Sequence, residues 1–209
     1  GAFSSYSQWV LIGLMIVGAI NFSLHFYALR GQWRKYWENA ELRWFLMLAG
    51  GAAVVIGIAN GASGQSTDPW LNLRDTIFTV TSIITTTGFV TADYESWPSL
   101  GPALLFTLMF MGGCAGSTAA GFKQIRVLLL VRHAKLQLVR LVHPRQVLVL
   151  KLDGRTIPQE IIMDVLAFAV LFLGVFVAAT LLLSLADIDL VTASTASVAC
   201  LSTVGPGLG

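Results

Sequence analysis

Apolar residues run along this chain in stretches of two lengths, and the difference between them predicts the architecture. Stretches at roughly 8–29, 44–63, 101–131 and 161–186 carry the ~20 apolar residues that a hydrocarbon core of about 30 Å asks of a spanning helix. Two others, Asn72 to Ile84 and Asp189 to Leu201, are only about 13 residues long. They are too short to cross and read as re-entrant half-helices that enter the membrane and stop. Each half-helix delivers a Thr/Gly stretch at its C-terminal end, Thr85-Thr86-Thr87-Gly88-Phe89 in one case and Ser202-Thr203-Val204-Gly205-Pro206 in the other. The order is span, then span–half-helix–loop–span, then span–half-helix–loop, which is an internal repeat. The expected fold class is an all-α membrane protein of repeated span–pore-helix–span units.

The chemistry of the two Thr/Gly stretches follows from where they end. A helix C-terminus carries partial negative charge and favours a cation parked beside it. Backbone without helical pairing is tolerated at membrane depth only where it is buried in protein or lines a cavity. In potassium channels the carbonyls of a TVGYG loop replace an ion's hydration shell. Thr203-Val204-Gly205 repeats the first three letters, and Thr87-Gly88-Phe89 keeps a Thr, a Gly and an aromatic. The competing reading of the first stretch is an ordinary helix closed by Gly88 at the position after its cap. Repetition 117 positions apart (Thr86 to Thr203) favours the ion path, with a potassium-channel-like pore. Gly88 and Gly205 are then the positions where a side chain most obstructs it.

A second irregularity interrupts the third long stretch. Gly112-Gly113-Cys114-Ala115-Gly116-Ser117-Thr118-Ala119-Ala120-Gly121 breaks that span, making it the one broken span expected. Gly112, Gly116 and Ala120 also form a small-xxx-small series, the mark of close helix packing. On the residues alone that packing reading is the favoured one, while polar Ser117 and Thr118 at mid-membrane keep a gating loop open. Lys123 reads either as a snorkelling interface residue or as a charge facing the inner pore. Asn21 and His25 share a helical face, where an interhelical hydrogen bond or an ion-path role would use them. Trp33, Tyr36, Trp37 and Trp44 suit the interface belt. Residues 64–69 read as a turn, Phe122 to Pro144 as an amphipathic basic helix, and Gln146 to Thr156 as a short hairpin around Asp153-Gly154. The chain divides into 1–34 (a last span plus loop), 35–145 (a complete unit with broken second span) and 146–209 (linker, then span–pore-helix–filter).

Composition agrees and adds sidedness. Of 209 residues, 56% are hydrophobic and only 11% charged, against about 25% charged in soluble domains. Net charge is +2, but its distribution says more. Arg30, Arg34, Lys35 and Arg43 fill the first loop, and Lys123, Arg126, Arg132, Lys135, Arg140, Arg145, Lys151 and Arg155 cluster in or beside the loop after the broken span. The positive-inside rule makes those loops cytoplasmic. Asp68, Asp93, Glu95, Asp187 and Asp189 then face outward and concentrate cations. Asp187 and Asp189 are also candidate caps of the second half-helix. The basic stretch suits anionic lipid and partner docking alike. Cys114 and Cys200 are expected as small packing residues. No enzyme signature appears: there is no nucleophile–His–acid set, no Gly-Lys-Ser/Thr phosphate loop and no metal-spaced Cys/His cluster. With no initiator Met, the chain is expected to be a piece of something longer.

Taken together, Asn21-Phe22-Ser23-Leu24-His25-Phe26, Thr85–Phe89, Gly112–Thr118, Leu141-Val142-His143-Pro144 and Gly205-Pro206-Gly207-Leu208-Gly209 resemble the TrkH/TrkG membrane subunits of bacterial Trk potassium uptake systems, in the Trk/Ktr/HKT superfamily. The resemblance covers essentially the whole chain. It implies that main-chain carbonyls around Thr85, Thr86, Thr87, Gly88, Phe89, Thr203, Val204, Gly205 and Pro206 bind K+ as the transported ion, with no organic cofactor. It implies that 112–121, with Lys123, is a gating loop under the filter. It further implies a cytoplasmic nucleotide-binding regulatory subunit of the TrkA type, a homodimer when full length, and a multi-pass place in the bacterial inner membrane among lipid, with no nucleic-acid partner. A sodium-permeable relative, or a secondary solute transporter with half-helices at the midplane, is the alternative. Two departures stand out. Ser202-Thr203 occupies a place where many relatives carry Asn-Asn. Ala119-Ala120-Gly121 stands where relatives often have three glycines, so the loop is expected to be stiffer or partly helical.

Overall fold

The computed structural model describes residues 4–64, 68–143 and 149–208. The expected turn at 64–69 therefore lies partly outside the described residues, as do Pro144, Arg145, Gly209 and the start of the expected hairpin. Two helices among the described residues are long and apolar enough to cross a membrane, α4 (Ala40–Ala62, 23 residues) and α8 (Gln159–Ser184, 26 residues). Asn39 starts α4 by accepting the Leu42 amide, the capping role for which Asn is preferred. Much of α8 shows apolar side chains outward, among them Val170, Leu171, Leu173, Val177 and Leu181, as a helix bathed in hydrocarbon does. The chain is an all-α membrane protein.

The first apolar stretch differs from its expectation. It is not one straight span: α1 (Ser5–Ala19) and α2 (Phe22–Leu29) meet at 101°. Asn21 is the reason on the α2 side, since its side chain accepts the Ser23 amide and caps a new helix. Asn21 and His25 thus act separately. His25 Nε2 donates to the Val17 carbonyl across the bend, which leaves Nδ1 to accept from the Tyr36 hydroxyl. Tyr36 sits in the short helix α3 (Arg34–Glu38), and partial burial pushes its phenol pKa up.

The half-helices are α5 (Pro69–Ile84, 16 residues) and α9 (Leu190–Leu201, 12 residues). Both begin at an aspartate. Asp68 accepts the Trp70 amide with Pro69 in the first turn, and Asp189 accepts the Val191 and Thr192 amides. Thr192's hydroxyl and amide hold the Asp189 carboxyl below its ordinary value. Asp187 does not share that task; it takes a left-handed turn conformation (φ 59°) in the connection.

The core lies where these elements meet. Leu42, Phe45 and Ile56 of α4 pack with Val80, Ile83 and Ile84 of α5, Leu105, Leu108 and Met109 of α6 (Leu100–Met109), and Val198 of α9. An aromatic stack fastens α8 to the broken span, with Phe110 against Phe176 (5.0 Å) and Phe122 against Phe172 (5.6 Å). After the break, α7 (Gln124–Val142) carries the basic residues, and Arg126 lies over the Phe168 ring. The hairpin is only β1 (Lys151–Leu152) and β2 (Arg155–Thr156). Its turn residues Asp153 and Gly154 both have positive φ (48° and 77°), as a type I′ turn demands. Cys114 is buried as expected, whereas Cys200 is exposed in an apolar groove between α8 and α9. It lies on the side of α9 turned away from the core.

Candidate functional site

The two Thr/Gly loops end their helices in the same way, bond for bond. At α5, the Thr85, Thr86 and Thr87 amides donate to the carbonyls of Thr81, Ile83 and Ser82. At α9, Ser202, Thr203 and Val204 donate to Val198, Cys200 and Ala199. The shared offset is 117 (Thr86 to Thr203), and the 6→1 and 5→2 bonds are those of a Schellman cap. The left-handed residue of such a cap is usually glycine. Here it is threonine both times, Thr86 at φ 55° and Thr203 at φ 52°. The competing reading, in which Gly88 closes α5 at the position after its cap, is therefore not what the structure has. Gly88 stands two residues beyond the cap and has its own positive φ of 78°.

Threonine in this conformation is costly, roughly 1–2 kcal/mol for an L-residue, and for a β-branched side chain it is a true outlier. Strain of this kind persists where the surroundings over-determine it. At Thr86 the surroundings are visible, since its hydroxyl accepts the Ala120 amide at 2.9 Å. Ser82 reaches back with its hydroxyl to the Phe89 carbonyl at 2.7 Å, fixing the outgoing strand of the first loop. The second loop is fixed by Thr195, whose hydroxyl donates to the Leu208 carbonyl and accepts its amide. The Tyr94 hydroxyl donates to the Gly207 carbonyl at 2.7 Å, joining the return of one loop to the end of the other. The loops themselves touch: a Cβ on Gly88 would stand well inside 3.0 Å of the Val204 carbonyl oxygen and 3.1 Å from Pro206 Cδ.

Below them lies the non-helical stretch between α6 and α7. It forms no helix between Phe110 and Lys123, so the expectation of a partly helical loop is corrected. Glycine occupies the places that need positive φ (Gly112, Gly116 and Gly121), while Ala119 and Ala120 do not need it. The stretch interlocks with the α1–α2 bend. Cys114 donates to the Ala19 carbonyl, Thr118 to Gly18 through both amide and hydroxyl, and Phe22 returns its amide to Gly116. Two broken helices thereby satisfy each other's orphan backbone groups. The Lys123 ammonium bonds to the Ala119 carbonyl, so it turns back onto this stretch.

Three residues of this region carried no weight in the sequence reading. Tyr94, Gln124 and Glu41 are buried and make long-range bonds. A tyrosine in a return loop, a glutamine opening a helix and a glutamate in a first helical turn each have an ordinary local explanation, so no sequence signal marked them. No cluster of metal-ligating His, Cys, Asp or Glu occurs among the described residues.

Paired half-helices ending in matching strained loops, packed with an interrupted span, define an all-α membrane protein of repeated units. The family model described as TrkH, cation transport protein, matches residues 1–209, and the chain belongs to that family, which is one of transporters. It is 37% identical over 213 residues to the Trk system potassium uptake protein TrkH of Vibrio parahaemolyticus, covering 100% of this chain and 44% of that protein. It is 34% identical to TrkH of Escherichia coli K12 and 29% identical to TrkG of the same strain. The crystal structure of the potassium transporter TrkH from Vibrio parahaemolyticus matches with a TM-score of 0.94 at 35% identity, over 100% of this chain and 45% of that one. The chain spans less than half the length of the curated relatives it matches.

Proposed function

We propose that the full-length protein containing this chain takes up potassium across the bacterial inner membrane, through a filter to which the two Thr/Gly loops contribute. Main-chain carbonyls of Thr85–Phe89 and Thr203–Pro206 would hold partly dehydrated K+. The stretch 112–121, with Lys123, would gate the path beneath them. The observation that carries this reading is the pair of strained threonine caps, at the same position of two half-helices whose loops touch. A cap needed only to end a helix would use glycine at no steric cost. The substrate itself is drawn from relatives named as Trk system potassium uptake proteins. The basic face of α7 supports anionic lipid contact and docking of a nucleotide-binding regulatory subunit. We assign a homodimeric assembly to the whole protein, and no enzymatic role or organic cofactor to this segment.

The test uses bacteria lacking their own potassium uptake. The full-length protein is expected to restore growth on low potassium, and well-expressed Gly88→Asp and Gly205→Asp to abolish it. Growth that survives both substitutions removes the loops from the ion path. Sodium uptake by the same cells without restored growth on low potassium would favour the sodium-permeable alternative.

Thr86→Gly separates cap from function. Relief of roughly 1–2 kcal/mol of left-handed strain is offset by about 1 kcal/mol of added chain freedom and by roughly 1–3 kcal/mol for the Ala120 amide left without its acceptor, so thermal stability is expected to fall by about 0–3 kcal/mol. Potassium uptake is expected to change, because the acceptor of the Ala120 amide is gone. Unchanged uptake at normal expression would reduce Thr86 to a helix cap.

A further inference from the structure

The loop between α6 and α7 has an anchor outside itself. Helix α7 begins without a cap of its own: Lys123 occupies the cap position with φ 69°, and its side chain makes no capping bond among the described residues. Its first amides must find partners elsewhere or be left orphaned. Glu41, from the first turn of α4, supplies one. Its Oε1 accepts the Ile125 amide at 3.1 Å. The same oxygen accepts the Ala115 amide at 2.6 Å. Glu41 is 5% exposed, so these bonds to a carboxylate face little competition from solvent, and charge-assisted bonds are about twice as strong as neutral ones. One carboxylate thus joins the middle of the irregular stretch to the start of the helix that follows it.

Apart from the Lys123 ammonium, which turns back onto the Ala119 carbonyl within the stretch, the other bonds that hold it are neutral. Gln124 donates to the Gly112 carbonyl at 2.7 Å, and the Gln124 amide to the Gly113 carbonyl. On the opposite side, Thr86 accepts from Ala120. The stretch is therefore held from three sides: by Thr86 at the base of the first Thr/Gly loop, by the α1–α2 bend, and by Glu41 on the spanning helix of the same repeat. Moving it requires all three to let go, and among them Glu41 is the carboxylate.

We infer that Glu41 is the positioning residue of the broken-span loop, holding 112–125 in its place beneath the Thr/Gly loops and so setting how readily that loop moves during transport. This rests on the gating role proposed for the loop. It goes further by naming the latch and the element that carries it. Glu41 touches no ion in this account; it acts through Ala115 and Ile125.

Cys114 is a built-in reporter, being 1% exposed and adjacent to Ala115. In the full-length protein with every other cysteine replaced, the rate of Cys114 modification by N-ethylmaleimide reads the opening of the loop. Glu41→Ala is expected to speed modification by about tenfold, and isosteric Glu41→Gln by less, since local opening equilibria set such rates. Potassium uptake should depart from wild type at an unchanged potassium-over-sodium preference. A modification rate in Glu41→Ala within about twofold of wild type overturns the inference, as opening would then not depend on this carboxylate. If that variant fails to accumulate, an unchanged rate in Glu41→Gln overturns it alone. A shifted ion preference would also overturn it, by placing Glu41 at the filter. Gly88→Asp in the same background separates the two claims: uptake that survives there defeats the filter reading, while the Cys114 rates still judge the latch.

Discussion

Alanine at Gly88 is expected to lower potassium uptake by the full-length protein about tenfold or more, since each 1.36 kcal/mol is a factor of ten in rate. Alanine at Gly205 should do markedly less. Both glycines have positive φ, 78° and 104°, so an added Cβ strains the backbone at either site. Only at Gly88 does it also strike something rigid. The Val204 carbonyl oxygen lies well inside 3.0 Å of the new atom, with Pro206 Cδ at 3.1 Å. A backbone carbonyl cannot swing aside as a side chain can, so the two loops must part. Around Gly205 the described residues leave open space within 4 Å. Initial rates of potassium uptake, normalised to protein in the membrane, decide the matter. Equal losses at the two positions would mean that backbone strain alone matters and that the contact between loops is incidental.

Gly112→Ala is expected to destabilise the protein by about 2–5 kcal/mol, combining left-handed strain of roughly 1–2 kcal/mol with overpacking of about 1–3 kcal/mol. The added Cβ falls well inside 3.0 Å of the Ala120 carbonyl oxygen, with Gly121 Cα at 3.2 Å. These atoms belong to the far side of the irregular loop, whose neighbour Ala120 also serves Thr86. The strain therefore spreads upward to the first Thr/Gly loop. Against a typical total stability of about 5–15 kcal/mol, that is a large loss. Thermal unfolding of the detergent-solubilised protein measures it. Gly154→Ala is the control, since Gly154 has a similar φ of 77° in the hairpin turn but meets nothing within 4 Å. A Gly112→Ala transition as mild as that of the control would show that the loop yields freely, which its bonds to α1 and α4 argue against.

Much of the architecture was legible along the chain because helix length answers to a local quantity. An apolar run either reaches across about 30 Å of hydrocarbon or does not, so α4, α8 and the two half-helices could be read from composition and spacing. The aspartates at their starts and the Asp153-Gly154 turn are local signals of the same kind. The bend between α1 and α2 was not legible. Ala19-Ile20-Asn21 is as apolar as many continuous helices, and a lone Asn marks a cap only when another segment takes the freed carbonyls. Here Cys114 and Thr118 take them from about a hundred positions away in sequence. The irregular loop escaped in the other direction. Alanines in place of glycines suggested helix, but between 112 and 121 only Gly112, Gly116 and Gly121 have positive φ, and those glycines are present.

By itself, then, the sequence determined that this is a membrane protein of spans and half-helices with two repeated Thr/Gly loops, because apolar length and turn chemistry are properties of neighbouring residues. Only the tertiary structure decided that Thr86 and Thr203, rather than Gly88, take the left-handed caps. It alone paired the α1–α2 bend with the broken span and brought Glu41 to amides 74 and 84 positions away. At membrane depth an unpaired backbone group has no water to turn to. Its partner is chosen by which segment packs beside it, and no local pattern in the chain records that choice.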